Sequence, residues 1–262
     1  MNTKSRGRAR IGVLVPFTNT NLEADMAMLS PPGVSMHFAR LGGYSVGAVP
    51  DEEQMAGLGA SSLDEPLRLI AGVRPDVIMY GCTSATLTHG RQFDAELAAR
   101  IKADTGAATV TAAGAIVNAL QRLNVTRIGF ASPYVGAINR DAVAFLSDAG
   151  IETVRCADIG RVLDNYGQGE LTPDEVFDLA GRADHPDAQA IVLSCTDMRS
   201  VEVIERLEAA LAKPVVSSNQ AMLFRTLQAL GIDPGEVQCG RLFRKVEARP
   251  GCLAVGSTTM PS

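Results

Sequence analysis

The sequence predicts an α/β protein built as two pseudo-symmetric lobes, each with a parallel sheet, and with an active site at their interface. Segments typical of strands alternate with segments typical of helices, which favours parallel α/β units. Two motifs also repeat, IMYGCTSA at residues 78–85 and IVLSCTDM at residues 191–198. Their cysteines, Cys82 and Cys195, lie 113 residues apart (195 − 82). The repeat indicates a duplicated unit with one thiol in each half.

The first repeat begins with a strand predicted over residues 10–16, an apolar and β-branched run that ends at Pro16. Further along, Leu63, Leu67 and Ile70 recur at helical spacing. The other predicted strands are residues 34–39, 76–80 and 108–111, and the predicted helices are residues 22–29, 61–72, 90–104 and 113–123. Residues 42–60 show no period, and a loop of that length in a compact domain is often functional.

The second repeat begins at Arg127 with the same order of residues that begins at Arg10: Arg-Ile-Gly, an apolar run, a proline and an aromatic residue. Equivalent positions in the two repeats are offset by between 106 (215 − 109) and 117 (127 − 10) residues. Strands are predicted from residue 127 and over 151–155, 190–193 and 214–217, and helices over 134–149, 174–183, 199–211 and 218–230. Residues 164–169 form a second irregular stretch, and the residues after 231 show little local signal.

The composition predicts a protein that binds neither nucleic acid nor membranes. Among 262 residues the net charge is -5, and no apolar run reaches the roughly 20 residues that span a bilayer. The basic first ten residues precede too short an apolar run for a secretory signal. Five cysteines without a CxxC pair favour reduced thiols and a cytoplasmic location. Because no phosphate loop, dinucleotide fingerprint or histidine ligand spacing is present, we expect neither a metal nor a cofactor.

Polar side chains follow the predicted strands, at the sheet edge where parallel α/β proteins bind ligands. Cys82 and Cys195 are candidate catalytic residues, since a thiolate serves as a nucleophile or as a base. A helix beginning just after each thiol would lower the pKa of that thiol and bind a carboxylate through its free N–H groups. Thr83, Ser84 and Thr196 are candidate substrate-binding residues at those helix starts. The alternative is that both cysteines are small core residues.

Three further residues are candidates for holding a substrate. Asn19 follows the first proline and can donate its amide to a carboxylate or an enolate oxygen. Tyr134 occupies the matching position after the second proline and can donate a hydrogen bond or a proton. Asn165 lies in the second irregular stretch and could reach over the site. Each has a plainer interpretation, as a turn or cap residue for the asparagines and a packing residue for the tyrosine.

The motifs VPFTNT (15–20), GCTSA (81–85), SPY (132–134) and SCTDM (194–198) together resemble the aspartate/glutamate racemase superfamily, and within it the maleate cis-trans isomerases. That resemblance implies two Rossmann-like lobes with a cysteine from each at the interface. It implies that Cys82 is the nucleophile, that Cys195 is its partner thiol, and that Asn19, Tyr134 and Asn165 hold the substrate. It also implies a homodimer that uses no cofactor and acts on a small dicarboxylate or amino-acid-like substrate.

The resemblance further implies that the chain crosses twice between the lobes. Residues 1–116 with 217–262 then form the first lobe, and residues 117–216 form the second. The favoured activity is isomerisation of maleate or a related cis-dicarboxylate through a covalent cysteine adduct. A two-cysteine racemase of aspartate, glutamate or hydantoin substrates is the alternative. A decarboxylase of the same superfamily is a weaker one, because arylmalonate decarboxylases keep a single catalytic cysteine, and a non-catalytic carboxylate sensor is another.

Overall fold

The computed structural model describes residues 7–42 and 63–244, which form two four-stranded parallel sheets joined through one apolar core. The strands are β1 (Ala9–Pro16), β2 (Val34–Leu41), β3 (Val77–Tyr80), β4 (Ala108–Thr111), β5 (Arg127–Ser132), β6 (Glu152–Asp158), β7 (Ala190–Leu193) and β8 (Val215–Ser217). The predicted fold class, α/β with two pseudo-symmetric lobes of parallel sheet, is confirmed. Most of the irregular stretch predicted over residues 42–60 lies outside the described residues.

Ten α-helices connect the strands of the described chain. They are α1 (Asn21–Leu29), α2 (Asp64–Ala71), α3 (Thr83–Leu87), α4 (Gly90–Thr105), α5 (Ala112–Arg122), α6 (Gly136–Asp148), α7 (Pro173–Ala183), α8 (Ile204–Leu211), α9 (Ser218–Ala229) and α10 (Gly240–Phe243). Short 3-10 turns occur at Val201–Val203 and Pro234–Glu236. Within residues 7–42 and 63–244, no helix combines the length and the apolar character needed to cross a bilayer.

The two sheets repeat the same strand order, β2-β1-β3-β4 in the first and β6-β5-β7-β8 in the second. In both, the strand that begins with Arg-Ile-Gly pairs with two neighbours, and the strand that precedes the cysteine motif lies beside it. The strands β3 and β7 are buried along their whole length, as expected for parallel strands covered on both faces. The duplication inferred from the sequence is therefore present in the topology.

Glycines allow the strands and helices to approach closely where the sequence repeats. A Cβ on Gly12 would lie 2.8 Å from a side-chain carbon of Ile70, and one on Gly129 would lie 2.1 Å from the carbonyl oxygen of Ala183. Only a residue without a side chain fits there, because real Cβ contacts essentially never fall below 3 Å. Both glycines belong to the Arg-Ile-Gly segments, which explains why glycine occurs at that position in both halves.

Two predicted helices differ from the structure. The helix predicted over residues 134–149 begins only at Gly136, which leaves Tyr134 free of the helix and at the end of β5. The helix predicted over residues 199–211 is a 3-10 turn followed by α8. No helix begins directly after Cys195, where the chain forms a turn. The reason is that Asp197 does not cap a helix of its own: its carboxylate accepts N–H groups at the start of α1 instead.

The assignment of residues 1–116 with 217–262 to one lobe and 117–216 to the other stays a prediction. Helix α9 packs against α5 and also contacts β3, β4 and β8, so it lies between the sheets. Helix α10 contacts α8 and β8. An ion pair joins Arg8 to Glu236 at 2.6 Å. Residues 245–262 lie outside the described part of the chain.

Candidate active site

All eight residues that the sequence singled out line one small cavity at the carboxyl ends of the strands, between the two sheets. The residues lining this cavity are Pro16, Thr18, Asn19, Cys82, Thr83, Ser84, Tyr134, Asn165, Gln168, Cys195, Thr196 and Asp197. The loops after β1, β3, β5 and β7 all contribute, as the rule for ligand sites in parallel sheets predicts. The structure thus brings the two thiols and the polar side chains of both repeats together.

The cavity is small and nearly filled by its own side chains. Its volume is about 40 Å³, which is room for about three water molecules. A ligand larger than a few water molecules would fit only if the cavity widened. A larger cavity of about 560 Å³ lies elsewhere and is lined by Glu205, Gly235, Val237, Gln238, Cys239, Gly240, Phe243 and Arg244. None of the predicted site residues lines that larger cavity.

Cys82 is positioned by a close contact between β3 and α1. The N–H of Gly81 donates to the carbonyl of Leu14 at 2.7 Å, and a Cβ on Gly81 would lie 2.4 Å from Leu22 Cδ2. The chain then turns at Cys82, which has extended backbone angles and precedes α3 directly. The Ser84 hydroxyl lies 3.7 Å from the Cys82 sulfur. The prediction that a helix starts immediately after the first thiol is confirmed.

Cys195 has different surroundings, although its sequence motif is similar. Its thiol donates to Gln168 Oε1 at 3.4 Å, and its sulfur accepts the N–H of Asp197 at 3.4 Å. The phenol of Tyr134 also faces this sulfur and favours its ionised form. The residues after Cys195 form a turn, so no helix dipole acts on this thiol. The two cysteines therefore have similar sequence motifs but different immediate neighbours in the structure.

The expectation that both thiols have lowered pKa values is wrong for this structure. Burial raises the pKa of Cys82, and the N–H groups of Ala85 and Ser84, with the Ser84 hydroxyl, offset only part of that rise. Burial also raises the pKa of Cys195, by more, and the negative charge of Asp197 adds to the rise. Removing a thiolate from water costs more free energy here than the local donors return. The two thiols differ in their surroundings, since N–H and O–H donors favour the thiolate of Cys82 whereas a carboxylate, Asp197, opposes that of Cys195.

Tyr134 lies at the end of β5, held by its backbone rather than by a helix. Its N–H donates to the Ser132 hydroxyl at 3.2 Å, and its carbonyl accepts from Asn139 Nδ2 at 3.3 Å. Burial raises the pKa of the Tyr134 phenol well above its ordinary value, and negative charge on Cys195 or Cys82 would raise it further. The phenol is therefore a neutral hydrogen-bond donor whose pKa depends on the charges of both sulfur atoms.

Asn19 acts both as a capping residue and as a lining residue of the cavity. Its Oδ1 accepts the N–H groups of Asn21 at 3.1 Å and Leu22 at 2.9 Å, at the start of α1. Its Nδ2 donates to the Thr196 hydroxyl at 3.0 Å. The amide nitrogen carries a second hydrogen, which is available to a ligand. The capping interpretation is therefore confirmed, and the substrate-holding role of Asn19 stays a prediction.

Thr83 and Thr196 lie on either side of the contact between the sheets. The Thr83 hydroxyl donates to the Ser218 hydroxyl at 2.9 Å, and both residues are buried. The Thr196 hydroxyl donates to the carbonyl of Gly81 at 2.9 Å. Because these hydroxyls already have partners in the protein, their contribution is to fix the two cysteine loops relative to each other.

A loop between β6 and α7 covers the second thiol. It contributes Asn165 and Gln168, which are 6% and 8% exposed. Asn21 Nδ2 donates to the carbonyl of Gly169 at 3.0 Å and attaches this loop to α1. The sequence predicts Asn165 as a site residue in this loop but does not predict Gln168. The only available signal was the irregular loop itself, which has no period that points at one side chain.

The lining also includes Asp197, which the sequence analysis treated only as a possible cap. Its carboxylate accepts the N–H of Thr20 at 2.9 Å and that of Asn21 at 3.1 Å. Burial raises the pKa of Asp197 to about 6, and these donors limit the rise. No Lys, Arg or His belongs to the described lining of the cavity. Within residues 7–42 and 63–244 no group of three or more His, Cys, Asp or Glu side chains could hold a metal.

Comparison with known proteins places the chain among cysteine-containing relatives of similar length. It is 29% identical to a curated maleate isomerase of Nocardia farcinica, over 92% of this chain and 98% of that protein. It is also 29% identical to a curated arylmalonate decarboxylase of Bordetella bronchiseptica, over 89% of this chain and 95% of that protein.

The fold matches solved structures of the same kind. One is a cysteine-to-serine mutant of the Nocardia farcinica maleate cis-trans isomerase with a covalently bound succinylcysteine intermediate. It superposes with a TM-score of 0.82 at 25% identity, covering 90% of this chain and 98% of that one. A sequence model described as arylmalonate decarboxylase matches residues 11–243, which is most of the chain. This chain therefore belongs to the arylmalonate decarboxylase family as that model defines it.

Proposed function

We propose that this protein isomerises maleate, or a closely related cis-dicarboxylate, to the trans isomer through a covalent adduct on Cys82. The observation that carries the proposal is the meeting of two thiols, one from each repeat, in one small cavity with neutral hydrogen-bond donors. The similarity to the Nocardia farcinica isomerase, whose mutant holds a succinylcysteine, supports the same chemistry. A thiol adduct solves the central problem, since a carbon–carbon double bond does not rotate.

In this mechanism Cys82 is the nucleophile: its thiol first loses its proton to solvent, and the sulfur then attacks as a thiolate. The sulfur attacks one alkene carbon, and the π electrons move onto the adjacent carboxylate to give an enolate-like dianion. The former double bond is now single and rotates. The electron pair then returns, re-forms the double bond in the trans geometry and expels the Cys82 thiolate. The N–H groups of Ser84 and Ala85, which favour the thiolate of Cys82, support its assignment to this role.

Cys195 serves as the partner thiol, and it stays protonated. Its Gln168 acceptor and the charge of Asp197 both favour the neutral S–H form. A neutral thiol on the opposite face of the substrate adds no second negative charge and keeps water away from the adduct. Tyr134 and the second N–H of Asn19 are the donors suited to the developing charge. Asn165 completes the predicted set of substrate-holding residues.

Decarboxylation of an arylmalonate is the second candidate, because the matching family model and one relative carry that name. Two observations favour the isomerase instead. Both cysteine positions are occupied here, and most of the side chains in the described lining of the cavity are small or polar, which suits a small diacid better than an aryl group. Racemisation of an amino acid would use the same two thiols as acid and base. No residue in the described lining is an obvious partner for a substrate ammonium except Asp197, which is already engaged by α1.

The experiment is incubation of the protein with maleate, with fumarate quantified by chromatography. The matched variants are Cys82→Ser, Cys195→Ser and Cys156→Ser, the last at an exposed thiol outside the cavity. Fumarate formation that survives only in Cys156→Ser and the wild type supports the proposal. A succinylated peptide containing Cys82, found by mass spectrometry in Cys195→Ser, identifies the nucleophile. Carbon dioxide release from an arylmalonate without fumarate formation would assign the decarboxylase instead, and deuterium uptake at Cα of aspartate in D₂O would assign the racemase.

We also propose that the protein is a cytoplasmic homodimer that takes a small dicarboxylate or amino-acid-like substrate and binds neither nucleic acid nor membranes. The cysteines of the described chain are all free, which fits a reducing compartment. The dimer rests on the resemblance to the superfamily. Light scattering after size-exclusion chromatography measures it directly, and a monomer at working concentration would reject it. The predicted division into residues 1–116 with 217–262 and residues 117–216 is retained as part of this proposal.

A further inference from the structure

Gln168 has a buried side chain that ends at the second thiol. It lies in the loop between β6 and α7, it is 8% exposed, and it lines the cavity. Its Oε1 accepts the thiol hydrogen of Cys195 at 3.4 Å. None of the motifs that repeat along the sequence includes this residue. Its position follows from the fold alone.

The nitrogen end of the same amide is a donor without a protein partner. Gln168 makes its one side-chain hydrogen bond through Oε1, and Nε2 has no hydrogen-bond partner among residues 7–42 and 63–244. Because Nε2 is not one of the fully buried side-chain atoms that lack a partner, it retains some exposure, which leaves its hydrogens open to water or a ligand. In a cavity without Lys, Arg or His in its described lining, this donor is well suited to a carboxylate oxygen.

The loop holds Gln168 in a defined place. Asp164 Oδ1 accepts the N–H groups of Tyr166 at 3.1 Å and Gly167 at 2.7 Å, which closes the turn just before it. Just after it, a Cβ on Gly169 would lie 2.9 Å from Asp197 Oδ2, so the backbone there lies directly against the Asp197 carboxylate. The backbone on both sides of Gln168 is thus fixed, and the bond from Cys195 to Oε1 holds the amide, so the donor loses little entropy on binding a ligand.

We propose that Gln168 is a substrate-binding and positioning residue: its Nε2 donates to one carboxylate of the cis-diacid while its Oε1 holds Cys195 as a neutral thiol. This inference deepens the proposed function and rests on it for the identity of the diacid. One amide then carries out two tasks. It recognises a negatively charged group, and it keeps the neighbouring sulfur from becoming a second negative charge beside that group.

The first experiment exchanges hydrogen-bond donor and acceptor in the protein and, separately, in the substrate. In Gln168→Glu the donor becomes an acceptor, so kcat/KM for maleate falls about ten- to hundredfold, mostly through KM. The monoamide of maleic acid presents an N–H to the new carboxylate, so the preference between the two substrates shifts toward the monoamide by about tenfold or more. Gln121→Glu, the same change at an exposed residue of α5, leaves both values unchanged. Equal losses for both substrates would mean that Gln168 is only structural and would overturn the carboxylate assignment.

The thiol arm needs no turnover, so it separates failure of this inference from failure of the proposed function. Site-resolved alkylation of Cys195 with iodoacetamide is followed against pH by mass spectrometry. A carboxylate next to the thiol raises the pKa of Cys195 further, so in Gln168→Glu its alkylation shifts to higher pH, while Gln121→Glu matches the wild type. Gln168→Met keeps the shape and removes both polar ends. It is the second variant if Gln168→Glu fails to fold, and it should weaken protection of Cys195 by succinate about tenfold. Unchanged alkylation and protection in every folded variant would overturn the proposal, whether or not the wild type converts maleate.

Discussion

The side-chain amide of Asn19, at the end of β1, donates to the hydroxyl of Thr196, just beyond β7, at 3.0 Å. The same hydroxyl donates to the carbonyl of Gly81 at 2.9 Å. One buried hydroxyl therefore joins the loops after three strands, two from the first sheet and one from the second. Because Cys82 follows Gly81 and Cys195 precedes Thr196, this hydroxyl sets how the two thiols lie relative to each other.

Replacing Thr196 by valine keeps the shape of the side chain and removes that link. The amide of Asn19 and the carbonyl of Gly81 would each lose a buried partner. We expect Thr196→Val to lower the free energy of unfolding by about 2–4 kcal/mol, measured by urea denaturation. Activity should fall as well, because the two thiols would no longer be held in their present positions relative to each other.

Thr153→Val is the matched control for this change. Thr153 lies in β6, and its hydroxyl has no hydrogen-bond partner within the described part of the chain. The same loss of a hydroxyl there should leave stability unchanged or slightly higher, since an unpaired polar atom is removed. If the two valine variants were equally stable, the bridging role of Thr196 would be wrong.

Gly81 is required by the close approach of α1 to the turn that carries Cys82. A Cβ at this position would lie 2.4 Å from Leu22 Cδ2 and 3.0 Å from the Leu14 carbonyl oxygen. Gly81→Ala should therefore cost about 1–3 kcal/mol of stability, the usual penalty for overpacking. It should also reduce activity, because relief of the clash moves the backbone next to the nucleophile. Thermal unfolding and turnover are the two measurements.

Gly181→Ala is the control for this change. The same glycine-to-alanine substitution is expected not to lower stability there. Gly181 lies in α7, and a Cβ there would meet nothing within 4 Å. Alanine is a better helix former than glycine by roughly 1 kcal/mol, so this variant should be as stable as the wild type or more stable. A Gly81→Ala protein that matched it in melting temperature would show that the close approach is not restrictive.

Asp25 is a buried carboxyl group one contact away from the second cysteine loop. It lies on α1 and accepts Asn219 Nδ2 at 2.7 Å, and the same nitrogen donates to the carbonyl of Thr196 at 3.0 Å. The pKa of Asp25 is raised to about 7. Burial is the main cause and the charges of Glu202 and Asp197 add to the rise, while the Asn219 hydrogen bond opposes it. Arg199 offsets part of that effect.

This raised pKa makes the protein less stable as the pH increases. Between pH 4 and 7 the folded state retains the Asp25 proton while the unfolded state has lost it, so the free energy of unfolding falls across that window. Three pH units correspond to roughly 4 kcal/mol, which is an upper bound for one group. Asp25→Asn removes this contribution. In urea titrations at pH 8 we expect the free energy of unfolding of the variant to exceed that of the wild type by roughly 1–4 kcal/mol. At pH 4 we expect little difference between the two proteins.

The asparagine variant also retains the local hydrogen bonding. Its carbonyl oxygen can accept from Asn219 Nδ2, and Asn219 Oδ1, buried and without a partner among the described residues, is a nearby acceptor. Asp178→Asn, at an exposed position of α7, is the control and should show the pH dependence of the wild type. An Asp25→Asn protein with the same pH dependence as the control would mean that Asp25 ionises normally in the folded state.

Much of the fold was predictable because its signals are local. A buried parallel strand is a short apolar, β-branched run, and β3 and β7 both show it before their cysteines. The carboxyl ends of such strands share one edge, so polar residues after them could be expected to meet. Cys82, Cys195, Asn19 and Tyr134 do line one cavity for this reason.

The parts that the sequence analysis missed depend on partners far away in the chain. Asp197 looked like the cap of its own helix, but it accepts N–H groups of α1, which lies about 176 residues earlier. Gln168 sits in a loop without period, and its role follows from contacts with Cys195 and from a backbone packed on Asp197. No pattern within a window of sequence contains such pairs.

The amino-acid sequence by itself determined the duplication, the order of strands and helices, and which side chains stand at the strand ends. Those features follow from residue types and spacings over a few positions. Tertiary structure decided how the two thiols differ, since Cys82 faces the start of α3 whereas Cys195 faces Gln168 and Asp197. The free energy of ionising a thiol depends on how much water is removed around it and on which charges and donors surround it, and only the folded chain specifies both.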